Sequence, residues 1–167
     1  MKRGSMEISF GMIFSVIIII TIIGVAVYAI TTFLHVGKTA ELSLFYKNFQ
    51  DSIEDIWSSA SSSRVFSFSL PKTIESVCFG SLTTSSSAQY NQELKDLKMY
   101  SSGFEQQNTN TFLYPAKNAG EFAFKKVDKI DLSKLAARFD CFEVNSGKVK
   151  IRLSKEELDS LVKVEHE

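Results

Sequence analysis

The sequence is poor in the residues on which most site chemistry depends. It holds two cysteines, two histidines and two prolines in 167 residues. Cys78, Cys141, His35 and His166 lie far apart, and neither C-x-x-C nor H-E-x-x-H spacing occurs, so a zinc site is unsupported. The eight glycines are scattered singly, which leaves no P-loop and no G-x-G fingerprint for phosphate chemistry. No serine sits in G-x-S-x-G, and no histidine is placed to reach one. Neither sign of charge is in excess, with 19 basic and 19 acidic side chains, so there is no electrostatic footprint for nucleic acid. These absences give the expectation of a chain that is not an enzyme, with no catalytic residue, no metal and no cofactor.

What is present in quantity is apolar, and it lies at the front. From Ile8 to Gly37 there is no Asp, Glu, Lys or Arg. As a helix that run would extend roughly 45 Å, more than the ~30 Å hydrocarbon core of a bilayer. A secretory signal peptide has an apolar core of only about 7 to 15 residues before a small-residue cleavage site. Val27-Tyr28-Ala29 loosely matches such a site, but the length of the run favours an anchor. We therefore expect a basic leader at 1–7 and a transmembrane helix at 8–36. Lys2, Arg3 and the amino terminus precede the span, and only His35 and Lys38 follow closely, so the positive-inside bias puts the N-terminus in the cytoplasm. The remainder is then extracytoplasmic.

The helical pattern continues beyond the span. Leu42, Phe45, Phe49, Ile53 and Ile56 or Trp57 recur at steps of three and four, with Lys47, Asp51, Glu54 and Asp55 on other faces. With no proline in between, one nearly continuous helix to Ser58 is expected, its part at 37–58 amphipathic and lying inside the head. The serines from Ser58 to Ser63 then end it.

The head, 64–167, reads as α+β, a small and mainly antiparallel sheet against that helix. Strands are expected over Arg64–Leu70, Ile74–Phe79, Phe112–Tyr114 and Glu121–Ile130, with a short helix around Tyr90, Leu94 and Leu97. Thr83 to Ser87 and Gln106 to Thr111 read as loops. Asp140–Val144, the turn Asn145-Ser146-Gly147 and Val149–Leu153 form the clearest hairpin signal. Ser154 with Glu157 matches a capping box for one helical turn, while Leu161 to Glu165 could alternate as a strand.

Cys78 and Cys141 each fall within an expected strand. They are either two buried thiols or, in an oxidising compartment, a disulfide, and the extracytoplasmic placement favours the bond. The carboxylate pairs Glu156/Glu157 and Asp128/Asp131 read as solvated surface, and the Lys125-to-Lys129 cluster as a polar strand edge that discourages edge pairing rather than a ligand site. Glu7 stands at the boundary of the apolar run. It either frames the span in the headgroup layer or finds a positive partner on another subunit.

The opening "KRGSMEISF", followed by an uninterrupted apolar helix leading into a head, resembles archaeal type IV pilin-like and archaellin-like precursors. In that family a prepilin-type membrane peptidase cuts near the glycine, and the long helix packs into a filament core or stays in the membrane. The resemblance implies a cut after Gly4 that leaves Ser5 first. Glu7 would then be third, where bacterial pilins carry their glutamate fifth, and Ser5 stands where common archaeal versions have Gln. It also implies partners: membrane lipid, copies of the chain or other pilin-like subunits, and the peptidase. The function expected is a single-pass membrane-anchored structural protein of a surface filament or secretion assembly; the alternative is a membrane-tethered extracytoplasmic binding module.

Overall fold

A computed structural model describes residues 10–83, 90–101, 108–133, 135 and 139–167. The chain divides into two compact units, residues 1–38 and 39–167. One helix, α1 (Phe10–Ser58), supplies the described part of the first and the opening segment of the second.

In the first unit the apolar side chains of α1, from Met12 to Val36, are exposed. This stretch is long and apolar enough to cross a membrane; the most apolar 18 residues of the helix have a mean hydropathy of 2.9. Two of its threonines turn their hydroxyls back to the helix: Thr21 Oγ1 donates to Ile17 O at 2.8 Å, and Thr31 Oγ1 lies 3.0 Å from Tyr28 O. Back-bonding of this kind lets a hydroxyl sit on an apolar helix surface.

The second unit is an α+β head with two four-stranded sheets. Its elements are β1 (Ser62–Ser69), β2 (Ser76–Gly80), α2 (Asn91–Ser101), β3 (Thr111–Tyr114), α3 (Ala116–Ala119), β4 (Phe124–Lys125), β5 (Ile130–Asp131), β6 (Phe139–Glu143), β7 (Lys148–Lys155) and β8 (Val162–Glu165). The first sheet has the order β1-β7-β8-β5 and the second β4-β3-β2-β6. All pairings are antiparallel except β5 with β8.

The period-3.6 stripe of α1 is the centre of the core. Leu42, Phe45, Phe49, Ile53 and Ile56 are all buried. Phe49 stands edge-on to Phe68 of the first sheet and tilted against Phe79 of the second, both at 5.3 Å between ring centroids. One side chain thus joins helix and both sheets. The serines end α1 as their chemistry requires, Ser58 Oγ donating to Asp55 O and Ser59 Oγ to Ile56 O. Lys155 of β7 then donates to the carbonyls of Trp57 and Ser59 at 2.8 and 2.9 Å, covering acceptors that a helix C-terminus leaves open.

Three local expectations are corrected. The Asn145-Ser146-Gly147 turn exists, with Ser146 and Gly147 at φ 54° and 76°, but its flanking strands do not form a hairpin. β6 pairs with β2 and β7 with β1 and β8, so the chain crosses from one sheet to the other at this turn, held by a single Asn145–Lys148 bridge. Gly147 is packed tightly there: a Cβ would meet Leu70 O at 3.0 Å, and Leu70 N donates to Gly147 O at 2.9 Å. Gly147→Ala is expected to destabilise the head by about 1–2 kcal/mol. A thermal melt should show Tm lowered by about 3–6 °C; an unchanged Tm would mean the turn relaxes freely.

Glu121–Ile130 is not one strand. Only Phe124–Lys125 and the start of β5 are extended, after a 3-10 turn at Gly120–Phe122. Asn110 explains the break, because its side chain takes both main-chain groups of Val127 (Nδ2 to Val127 O at 2.7 Å, Oδ1 from Val127 N at 2.8 Å), and Lys129 has φ 66°. Finally, Ser154 starts no helix. It remains in β7, opposite Lys163, with its hydroxyl on Glu165 Oε2 at 3.3 Å, and β8 forms instead.

The other elements fall close to expectation. β1 begins two residues before Arg64, α2 carries Leu94 and Leu97 buried, and β2 is buried throughout. Most of the Thr83–Ser87 loop, the first part of the Gln106–Thr111 loop, and Lys2, Arg3, Gly4, Ser5 and Glu7 lie outside the described residues.

Candidate functional site

The head carries an open cleft of about 910 Å³ beside β6. It arises directly from the sheet-to-sheet crossing. β6 is an edge strand of the second sheet, and four consecutive residues of it, Asp140 to Glu143, line the cleft. Lys148 and Lys150 of β7, Ser67 of β1 and the segment after β8 also line it.

Asp140 is the electrostatic centre. It is a buried carboxylate in an otherwise apolar strand, and such a charge must be satisfied by partners. Its Oδ1 accepts from Cys141 N at 2.9 Å, and its Oδ2 lies 3.0 Å from His166 Nε2. Tyr90 also hydrogen-bonds to it; desolvation first and the Asp140 charge second raise the Tyr90 phenol above its ordinary pKa. His166 is doubly held, since its ring stacks on Phe142 at 4.1 Å and 13°. Beside it, Lys150 Nζ pairs with Glu167 at 2.9 Å.

The cysteines meet in the wall of this cleft. Cys78 of β2 and Cys141 of β6 are directly opposite in register and form a disulfide, with sulfurs 2.03 Å apart.

The sequence-read residues therefore divide. Cys78 and Cys141 come together, while Gly4, Ser5 and Glu7 are outside the described residues. Glu156 pairs with Lys163, and Asp128 with Lys126, on the surface. Lys129 stands 3.8 Å over the Trp57 ring, a cation–π contact that secures the end of α1. Among the described residues, no group of three or more His, Cys, Asp or Glu side chains is placed to hold a metal ion.

Sequence reading did not single out Tyr90, Asp140, Lys148, Lys150 or His166. The available signal was "FDCF": one acid between phenylalanines in an expected strand implies a buried carboxylate seeking partners.

A second, smaller concavity of about 470 Å³ lies beside α2 and α3, where Tyr114 Oη donates to Asp96 Oδ2 at 3.0 Å. No protein-family model, no curated protein and no solved structure matches the chain.

Proposed function

We propose that the chain is a non-enzymatic, single-pass membrane-anchored structural protein, a pilin-like subunit or minor component of a surface filament or secretion assembly. In this reading its N-terminus is cytoplasmic and its head extracytoplasmic. The observation that carries it is the double use of α1. From Met12 to Val36 the helix is apolar and exposed, and from Leu42 to Ile56 the same helix is the core of a folded head. An apolar surface of that extent is stable only under lipid or against other apolar helices, the two environments a filament subunit meets in turn. The disulfide supports an oxidising compartment for the head. Glu7 would pair with a neighbouring subunit's amino terminus, and Ser5 would be the first residue after peptidase cleavage beyond Gly4.

Intact-mass and N-terminal peptide analysis, on protein taken without reductant from native membranes and from sheared surface fractions, tests this reading. Expected are a start at Ser5, an intact disulfide and recovery in high-mass assemblies. A start at Met1, with monomers confined to membranes, would overturn the filament reading. It would promote the second reading, a tethered binding module, which the cleft beside β6 favours.

A further inference from the structure

The cleft beside β6 has the features of a ligand site, and three observations define its chemistry. The first is a flat platform. Phe142 covers one face of the His166 imidazole and Asp140 fixes the ring edge, yet the His166 side chain remains 53% exposed, so its other face is open to the cleft. A ring held on two sides loses little freedom when a ligand stacks on it.

The second is a row of main-chain acceptors. Cys78 and Cys141 are opposite each other with Cα atoms 4.0 Å apart, the narrow kind of antiparallel pair whose main-chain groups point away from one another. Cys141 therefore turns its N–H and C=O outward from β2, and by the two-residue alternation so does Glu143. Asp140 Oδ1 occupies the Cys141 N–H. Among the described residues, the carbonyls of Cys141 and Glu143 have no hydrogen-bond donor. Donors line the same cleft, including the Lys148 ammonium, which makes no ion pair among the described residues.

The third is charge balance. Three carboxylates (Asp140, Glu143 and Glu167) face two ammonium groups (Lys148 and Lys150) and one imidazole, and Asp140 and Glu167 are already paired. Strongly charged ligands of either sign would meet a like charge here.

A flat ring, open acceptors beside donors and near-neutral charge match a ligand that has an apolar C–H face and many uncharged hydroxyls. The geometry points to a neutral oligosaccharide as the ligand of this cleft. Its sugar face would lie on His166, and its hydroxyls would donate to the Cys141 and Glu143 carbonyls and accept from Lys148. The volume of about 910 Å³ lies within the range of small-ligand sites, about 300–1,000 Å³. The assignment is independent of filament assembly, so either can fail without the other.

The test is saturation-transfer NMR on the full chain in phosphatidylcholine nanodiscs, which avoids glycoside detergents. The probes are maltotriose, cellotriose, mannotriose and chitotriose, with trigalacturonate as the anionic comparison. At least one neutral trisaccharide is expected to bind, with the strongest transfer to its ring protons, and trigalacturonate more weakly. His166→Ala should weaken binding at least tenfold, whereas His166→Phe, which keeps a ring on Phe142, should stay within threefold of the parent. Lys148→Ala, at an exposed position, removes the ammonium donor, should weaken binding several-fold and serves should His166→Ala fail to fold. The assignment is overturned if no neutral trisaccharide binds at millimolar concentration, if trigalacturonate binds better, or if binding survives both alanine substitutions.

Discussion

Phe49→Ala is expected to destabilise the head by about 3–5 kcal/mol. The side chain is fully buried, stacks on Phe45 at 5.8 Å and meets Phe68 and Phe79 at 5.3 Å each. Truncation removes the ring from water-excluded contact and opens a void bounded by a helix and two sheets, which cannot all close on it. Total stabilities of single domains are about 5–15 kcal/mol, so about a fifth or more of the reserve is at stake. Urea unfolding of the full chain, followed by Trp57 fluorescence, should show the midpoint falling with little change in slope. Leu44→Ala, on the exposed side of the same helix, should shift stability by no more than about 0.5 kcal/mol. If the two variants behave alike, Phe49 is not the junction of helix and sheets.

The second large effect is loss of the Cys78–Cys141 bond. Its ends are 63 residues apart, and on the chain-entropy model a closed loop of that size stabilises by about 4 kcal/mol. The stabilisation acts mainly on the unfolded chain, because β2 and β6 are already paired in register around the bond. Replacing both cysteines by alanine should therefore lower the urea midpoint strongly, and reducing the parent protein should reproduce most of the change. The β2–β6 pairing should persist in the variant under native conditions. A difference below about 1 kcal/mol would mean that the unfolded ensemble is already compact between these positions.

How far the sequence foretold this can be judged residue by residue. The α1 stripe was legible because five apolar residues at helical spacing carry a period that few alternatives share, and each of them is buried. The cysteine pairing was legible from two expected strands and a compartment argument. The hairpin at Asn145-Ser146-Gly147 was misread because turn chemistry is local, whereas sheet membership is decided by which neighbours bury each strand. β6 has four of its five residues buried and belongs beside β2, while β7 alternates and belongs beside β1. Asn110 was unforeseeable for a similar reason, since one amide 17 residues away breaks the Glu121–Ile130 segment. The cleft was hidden because Tyr90, Asp140 and His166 are brought together only by the packing of two sheets.

The interleaved strand order also bears on how the chain is made. β1 precedes the other strands of the head, yet among the described residues its one partner strand is β7, after five intervening strands. At translation rates of about 5–20 residues per second, Phe66 and Phe68 wait on the order of ten seconds for Lys148–Lys155 to emerge. During that interval the phenylalanines of α1 have no completed sheet to cover them, and an unpaired strand edge beside them invites wrong association. A nascent chain halted before Val162 would leave β5 without any partner strand and β7 with an open edge. The first sheet therefore closes only once β8 has been made, and until then the open edge of β7 can recruit a foreign strand.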